Sequence, residues 1–186
     1  MKSISLPQWK WIEQIKQAPS PPLKFWKKLL LSFGVLLLMF ITQIIIGFLA
    51  DKTGLYKPTD FSARTESYLN NPIALIIALI FAPILEELIF RKLFFQFFIR
   101  KYHHPTAIAI VSSILFGLAH SGFFLPYIIS GLLLCFLTYK TQRIIYPMIV
   151  HMMFNSSLIL IAISICLLYT SPSPRDATLS RMPSSA

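Results

Sequence analysis

Charged residues are scarce in this sequence. Only 13% of its 186 residues are Asp, Glu, Lys or Arg, and just 7 of them are acidic, whereas 55% of the chain is hydrophobic. Since a water-facing surface usually carries about a quarter charged residues, much of this chain is expected to face lipid. The composition excludes a soluble globular enzyme and an intrinsically disordered chain.

Cysteine is also rare, and it is not paired in sequence. Cys135 and Cys166 are the only two, and they form no CxxC spacing, so they give no argument for a disulfide framework or a thiolate metal site. The net charge of +10 could suggest a nucleic-acid partner. However, the basic residues lie between apolar runs and form no single stripe, so they indicate membrane topology and no nucleic acid.

Five apolar stretches predict an all-α, polytopic transmembrane helix bundle. They cover residues 29–50, 72–99, 105–120, 123–139 and 144–165, which gives about five spans. The segment 1–28 before them is basic and contains three tryptophans, as expected for a cytoplasmic or interfacial segment. Six lysines precede the first span, so the prediction is a multi-pass protein of the cell membrane with a cytoplasmic N-terminus.

The last stretch, 166–186, differs from the rest in composition. Codon by codon, its letters match the in-frame translation of the transposon-end and adapter DNA used to prepare sequencing libraries, interrupted only by a variable index at Ala177–Leu179. We expect this segment to be non-native, as fusion scars are, so it carries no prediction about the fold.

This expectation predicts a specific result from resequencing. The nucleotide record should contain the adapter DNA in frame, and an independently sequenced copy of the gene should diverge immediately after Ile165. A second isolate that encodes the string SPSPRD at this place would show that the tail is natural.

Ionisable and amide side chains inside the apolar stretches are the candidate functional residues. Each costs about 2.5–3.5 kcal/mol to place in hydrocarbon even on the lenient insertion scale. Three groups stand out: EELIFR in the second stretch, FGLAH at the end of the third and HMMFN in the fifth. They contain the six candidate site residues Glu86, Glu87, Arg91, His120, His151 and Asn155.

The spacing within these groups has a physical meaning. Glu87 and Arg91 are four residues apart on one helical face, so Arg91 can neutralise Glu87 and hold it as a fixed charge. Glu86 lies about 100° further around the helix without that partner, and the two carboxylates should therefore differ in proton affinity. Such a pair can supply a general base.

The depth of these residues tests whether they can meet. With the cytoplasmic boundary at Arg100, Glu86 lies ~21 Å deep and His120 lies ~22 Å from Pro105, by the helical rise. With the boundary at Arg91, Glu86 would be only ~7 Å deep and would miss His120. The first placement gathers all six candidates in one layer and is the one we predict.

The motifs EExxxR, FxxxH and HxxxN, in this order on apolar helices, resemble the CPBP intramembrane protease family, also called the CAAX protease and bacteriocin-processing or Abi family. The resemblance covers residues 71–165 and implies an intramembrane endopeptidase. In that family the position of Glu86 is the catalytic glutamate that activates water, and the other five positions support it. The implied substrate is a peptide or protein, prenylated in eukaryotic relatives and often linked to bacteriocin maturation or self-immunity in bacterial ones.

Two questions stay open from the sequence. The first is the metal: we favour no cofactor, because the histidines come from separate helices and form no HExxH motif, but Glu86, His120 and His151 could hold Zn²⁺. The second is the class of protein. A non-catalytic immunity or scaffold protein of the same fold is the main alternative, and a small transporter that uses the ionisable layer for protons is a further one.

Overall fold

The described part of the chain is built from apolar helices. The computed structural model describes residues 23–55, 66–120 and 123–170, with side chains up to Ile165. Most of the predicted segment 1–28 and of the predicted adapter-derived tail lies outside the described residues. The main helices are α1 (Phe25–Lys52), α2 (Pro72–Tyr102), α3 (Pro105–Leu118), α4 (Leu125–Thr141) and α5 (Ile145–Thr170). The described residues contain no strand, which confirms the all-α class.

The helices differ in length, and this refines the predicted spans. α1, α2 and the segment Ile145–Ile165 of α5 are long and apolar enough to cross a membrane. α3 and α4 have 14 and 17 residues, or ~21 and ~26 Å, which is less than the ~30 Å of a hydrocarbon core. The third predicted stretch was expected to reach His120, whereas α3 ends at Leu118. The protein is thus a helical membrane bundle that combines long and short helices.

The start of α2 is fixed by local chemistry. The Asn71 side-chain oxygen accepts a hydrogen bond from the Ala74 backbone N–H at 3.1 Å, and Pro72 occupies the first helical position. At the other end His103 adopts a left-handed conformation with φ of 58°, which stops the helix before Pro105 begins α3. α2 therefore runs through 31 residues that carry one of the three polar groups.

Two widened turns interrupt the α-helical geometry of α2. π-helical stretches cover Ile77–Phe81 and Leu88–Phe95, one on each side of the two glutamates. Pro83 follows the first and lacks the amide hydrogen that would continue the ladder. In the second, the Ser112 hydroxyl on α3 donates to the Phe90 carbonyl at 2.9 Å. Such π segments are frequent at functional sites.

α4 is central to the packing. One apolar core forms between α1, α4 and α5, and its buried members are Val35, Leu36, Met39, Leu134, Leu137, Val150 and Phe154. A smaller cluster joins α2, α3 and α4 through Phe95, Ile108 and Cys135. The polar candidates lie on the helices that these two clusters hold together, so their relative positions are set by apolar packing.

Two small residues, Ser113 on α3 and Gly131 on α4, let these helices approach closely, as in many membrane helix pairs. A Cβ added at Gly131 would stand 3.0 Å from the Ser113 Cβ and 3.1 Å from its Cα, so it would press on backbone. A Cβ at Gly34 on α1 would have no neighbour within 4 Å.

We therefore predict that the same substitution changes the unfolding temperature differently at these two glycines. Gly131→Ala should lower the unfolding temperature, because α3 and α4 must separate to admit the methyl group. Gly34→Ala should leave it unchanged or raise it, since alanine is favoured over glycine in a helix by about 1 kcal/mol. Thermal unfolding of both variants in detergent measures the difference. Equal stability of the two would contradict the close approach.

Candidate active site

Three helices supply the six candidate residues. Glu86 and Glu87 project from α2 just before its second π-helical stretch, and Arg91 lies within that stretch. His120 stands two residues beyond the end of α3, and His151 and Asn155 lie one turn apart on α5. The elements thus bring residues that are up to 65 positions apart in sequence, Glu86 and His151, to one place.

Glu86 faces both histidines. Its Oε1 lies 3.8 Å from Nε2 of His120, and its Oε2 lies 3.6 Å from Nε2 of His151. The side chains of Glu86 and His120 retain 26% and 21% of their exposure, whereas His151 retains only 6%. Glu86 and His120 therefore line an accessible side of the cluster, and their predicted convergence is confirmed.

Glu87 lies on the sealed side. It is fully buried, and its Oε2 pairs with Nε of the equally buried Arg91 at 3.3 Å, as the spacing of four residues predicts. Its Oε1 lies 3.1 Å from Nδ1 of His151. Because a carboxylate only accepts, Nδ1 of His151 donates this hydrogen bond. Glu87 thus compensates a buried guanidinium and orients a histidine at the same time.

Arg91 is held by further contacts that the sequence did not predict. Its guanidinium carbon lies 4.4 Å from the centroid of the Phe116 ring, a cation–π geometry, and its Nη2 lies 3.5 Å from the Gly131 carbonyl on α4. Although its Nε lies 3.3 Å from Glu87, neither Nε nor Nη1 has a partner in hydrogen-bond geometry among the described residues. Arg91 therefore depends on Glu87 for charge compensation, and α4 contributes backbone to the site.

Phe116 connects the parts of the cluster. Its ring lies 4.6 Å from that of His120 and 5.8 Å from that of His151, between centroids, and it also contacts Phe90. Its carbonyl oxygen is 2.8 Å from Nδ1 of His120, which must donate because a carbonyl only accepts. The FxxxH spacing contained this signal, since residues four apart on a helix are neighbours. Sequence reasoning used only the histidine.

Asn155 is the candidate with the least contact. It is half-buried on α5, one turn after His151, and its side chain forms no hydrogen bond to the other five candidates within the described residues. Its placement on the same helix as His151 agrees with the spacing.

The donor types at Glu86, His120 and His151 are those that zinc prefers. Their arrangement is less suitable. Among the residues that the structure describes, no three His, Cys, Asp or Glu side chains are already arranged as a metal site.

Comparison with known proteins agrees with this geometry. Residues 68–157, which contain all six candidates, match the model of a family described as type II CAAX prenyl endopeptidase Rce1-like. No solved structure matches the chain.

Three curated relatives are similar over part of their length. "Putative membrane peptidase YdiL" of Bacillus subtilis (strain 168) is 35% identical over 48% of this chain and 37% of its own. The membrane-embedded CAAX protease MroQ of Staphylococcus aureus (strain USA300) is 31% identical over 72% of this chain and 59% of its own. The UPF0177 protein YaiF of Lactococcus lactis subsp. lactis (strain IL1403) is 28% identical over 72% of this chain and 63% of its own. The chain thus spans less than two thirds of each relative. The resemblance given by the three motifs is confirmed, because residues 68–157 match the model of the Rce1-like CAAX endopeptidase family.

Proposed function

We propose that this protein is an intramembrane endopeptidase in which Glu86 activates water to hydrolyse a peptide bond. The observation that carries the proposal is the contrast between the two neighbouring carboxylates. Glu87 is sealed and paired with Arg91, whereas Glu86 keeps a quarter of its exposure and faces two imidazole nitrogens. One carboxylate is thereby a structural charge, and the other is free to take a proton.

The tautomers of the two histidines support a bound water. Both Nδ1 atoms donate, one to the Phe116 carbonyl and one to Glu87. With a single ring proton on Nδ1, each ring would present a bare Nε2 atom to Glu86. The separations of 3.6 and 3.8 Å exceed a direct hydrogen bond, and a water placed between the groups could donate one hydrogen to Glu86 and the other to a histidine.

The proposed reaction follows from this arrangement. Glu86 takes one proton from the water while the water oxygen attacks the scissile carbonyl carbon. The carbonyl π electrons move to the carbonyl oxygen. The C–N bond then breaks, and the leaving nitrogen receives the proton held by Glu86. Asn155 is the neutral amide that could donate to the developing oxyanion, whereas His120 and His151 can donate from Nε2 only when protonated.

The substrate and the orientation belong to the same proposal. The family description reads CAAX prenyl endopeptidase, and one relative is named a CAAX protease. A peptide or protein substrate in the lipid bilayer, prenylated or bacteriocin-like, fits a site among apolar helices. The lysines at the start of α1, Lys27 and Lys28, support a cytoplasmic N-terminus in the cell membrane.

Chelation separates the two chemistries that the donor set allows. We expect cleavage of a quenched fluorescent, farnesylated CAAX peptide by the detergent-solubilised chain to be unchanged after dialysis against a strong zinc chelator, because the proposed base is a carboxylate. The control is a zinc protease in the same detergent, which should lose its activity. Loss of cleavage that returns on adding Zn²⁺ would contradict the metal-independent mechanism and favour Glu86, His120 and His151 as ligands.

A further inference from the structure

His120 needs more than helical geometry to keep its orientation. It lies beyond α3, and its ring contacts Phe116 and a second aromatic ring. That second ring belongs to Tyr127, the third residue of α4. The two ring centroids are 4.2 Å apart and the planes are 20° from parallel, so the phenol covers one face of the imidazole.

The position of Tyr127 is itself rigid. Its neighbour Ile128 is in such close contact with Gly117, the neighbour of Phe116, that a Cβ on Gly117 would stand 2.5 Å from the Ile128 Cγ1. Pro126, on the other side of Tyr127, is buried. The close contact of Gly117 on α3 with Ile128 on α4 thus lies next to the stacked rings in sequence and restricts their spacing.

We propose that Tyr127 is a positioning residue for His120. The hydrogen bond from Nδ1 to the Phe116 carbonyl leaves the imidazole free to swing about that bond, and the flat phenol ring blocks this motion. With both contacts in place, Nε2 points to Glu86. The inference rests on the proposed function where it concerns cleavage, but the orientation of the ring can be tested without any substrate.

Two variants separate stacking from hydrogen bonding by the tyrosine. Tyr127→Leu removes the aromatic face, whereas Tyr127→Phe keeps it and loses only the hydroxyl. Tyr139→Leu is the matched control, since Tyr139 lies on the same helix and is 43% exposed. The expected loss for Tyr127→Leu is a fall in kcat of ~10-fold or more with little change in KM, because a misplaced group lowers the chemical step. Tyr127→Phe and Tyr139→Leu should keep the wild-type kcat.

The second readout is independent of proteolysis. Diethyl pyrocarbonate modifies the bare Nε2 of neutral histidines, and mass spectrometry gives the rate at each position. In Tyr127→Leu the rate at His120 should rise severalfold, while the rates at exposed His103 and buried His151 stay constant. A rise at His151 as well would mean a loosened fold, and Tyr127→Phe would then decide: a wild-type rate at His120 supports the stack, and a raised rate overturns it.

The outcomes distinguish the two proposals. If the wild-type chain cleaves no peptide but the rate at His120 rises only in Tyr127→Leu, the protease proposal fails and the orienting stack stands. If Tyr127→Leu leaves both the modification rate and kcat unchanged, Tyr127 does not position His120. A raised modification rate with unchanged kcat in an active protein also overturns the positioning role.

Discussion

Glu86→Gln is expected to lower the rate of peptide cleavage by about 10²–10⁴-fold, the usual loss when a general base is removed. Glutamine keeps the size of the side chain and its hydrogen bonding but cannot accept a proton from water. The fold should persist, because a neutral amide is cheaper to bury than a carboxylate. The measurement is kcat/KM for a fluorogenic, farnesylated CAAX peptide, together with the thermal unfolding temperature of the same sample.

Glu66→Gln is the matched control, since it makes the same chemical change at an exposed position before α2. It should leave both kcat/KM and stability at the wild-type level. Normal cleavage by Glu86→Gln would sink the mechanism. The same variant separates the protease from a non-catalytic immunity protein, because protection by binding alone should survive the loss of a proton acceptor, whereas protection by cleavage should not.

Much of the site followed from periodicity. Residues four apart share a helical face, so the pairing of Glu87 with Arg91 and the common helix of His151 and Asn155 could be inferred from spacing alone. The meeting of Glu86 with His120 needed one more step. Only a helix that continues inward from Arg100 places the two at similar depth, and they do lie 3.8 Å apart.

The rest depends on contacts between helices, which spacing does not contain. No residue pattern announces a π-helical stretch, and the widened turn Leu88–Phe95 has a carbonyl that is satisfied by Ser112 from another helix. The stack of Tyr127 on His120 likewise depends on how closely Gly117 lets α4 approach. The end of α3 at Leu118, two residues before the predicted end, could not be predicted either, since helix ends are the least reliable feature of a periodic pattern.

Glu87→Gln should damage stability where Glu86→Gln damages activity. Both Glu87 and Arg91 are fully buried, and Arg91 has no other carboxylate beside it among the described residues. Removing the negative charge leaves a guanidinium unpaired within the bundle, at an expected cost of about 3–5 kcal/mol in the free energy of unfolding. Glutamine can still accept from Nδ1 of His151, so the orientation of that ring is preserved and the loss isolates the charge.

Arg91→Met should cost less than Glu87→Gln. It removes the cation, and Glu87 keeps the hydrogen bond from Nδ1 of His151 at 3.1 Å, so the remaining buried carboxylate still has a donor. The double variant Glu87→Gln with Arg91→Met should recover most of the stability of the wild type, because no unpaired charge remains. Thermal or chemical unfolding of all four proteins in the same detergent gives the coupling energy. If Glu87→Gln unfolds at the wild-type temperature, or if the double variant is less stable than either single one, the buried pair is not what holds α2 in place, and the assignment of Glu87 as a structural charge beside a catalytic Glu86 is wrong.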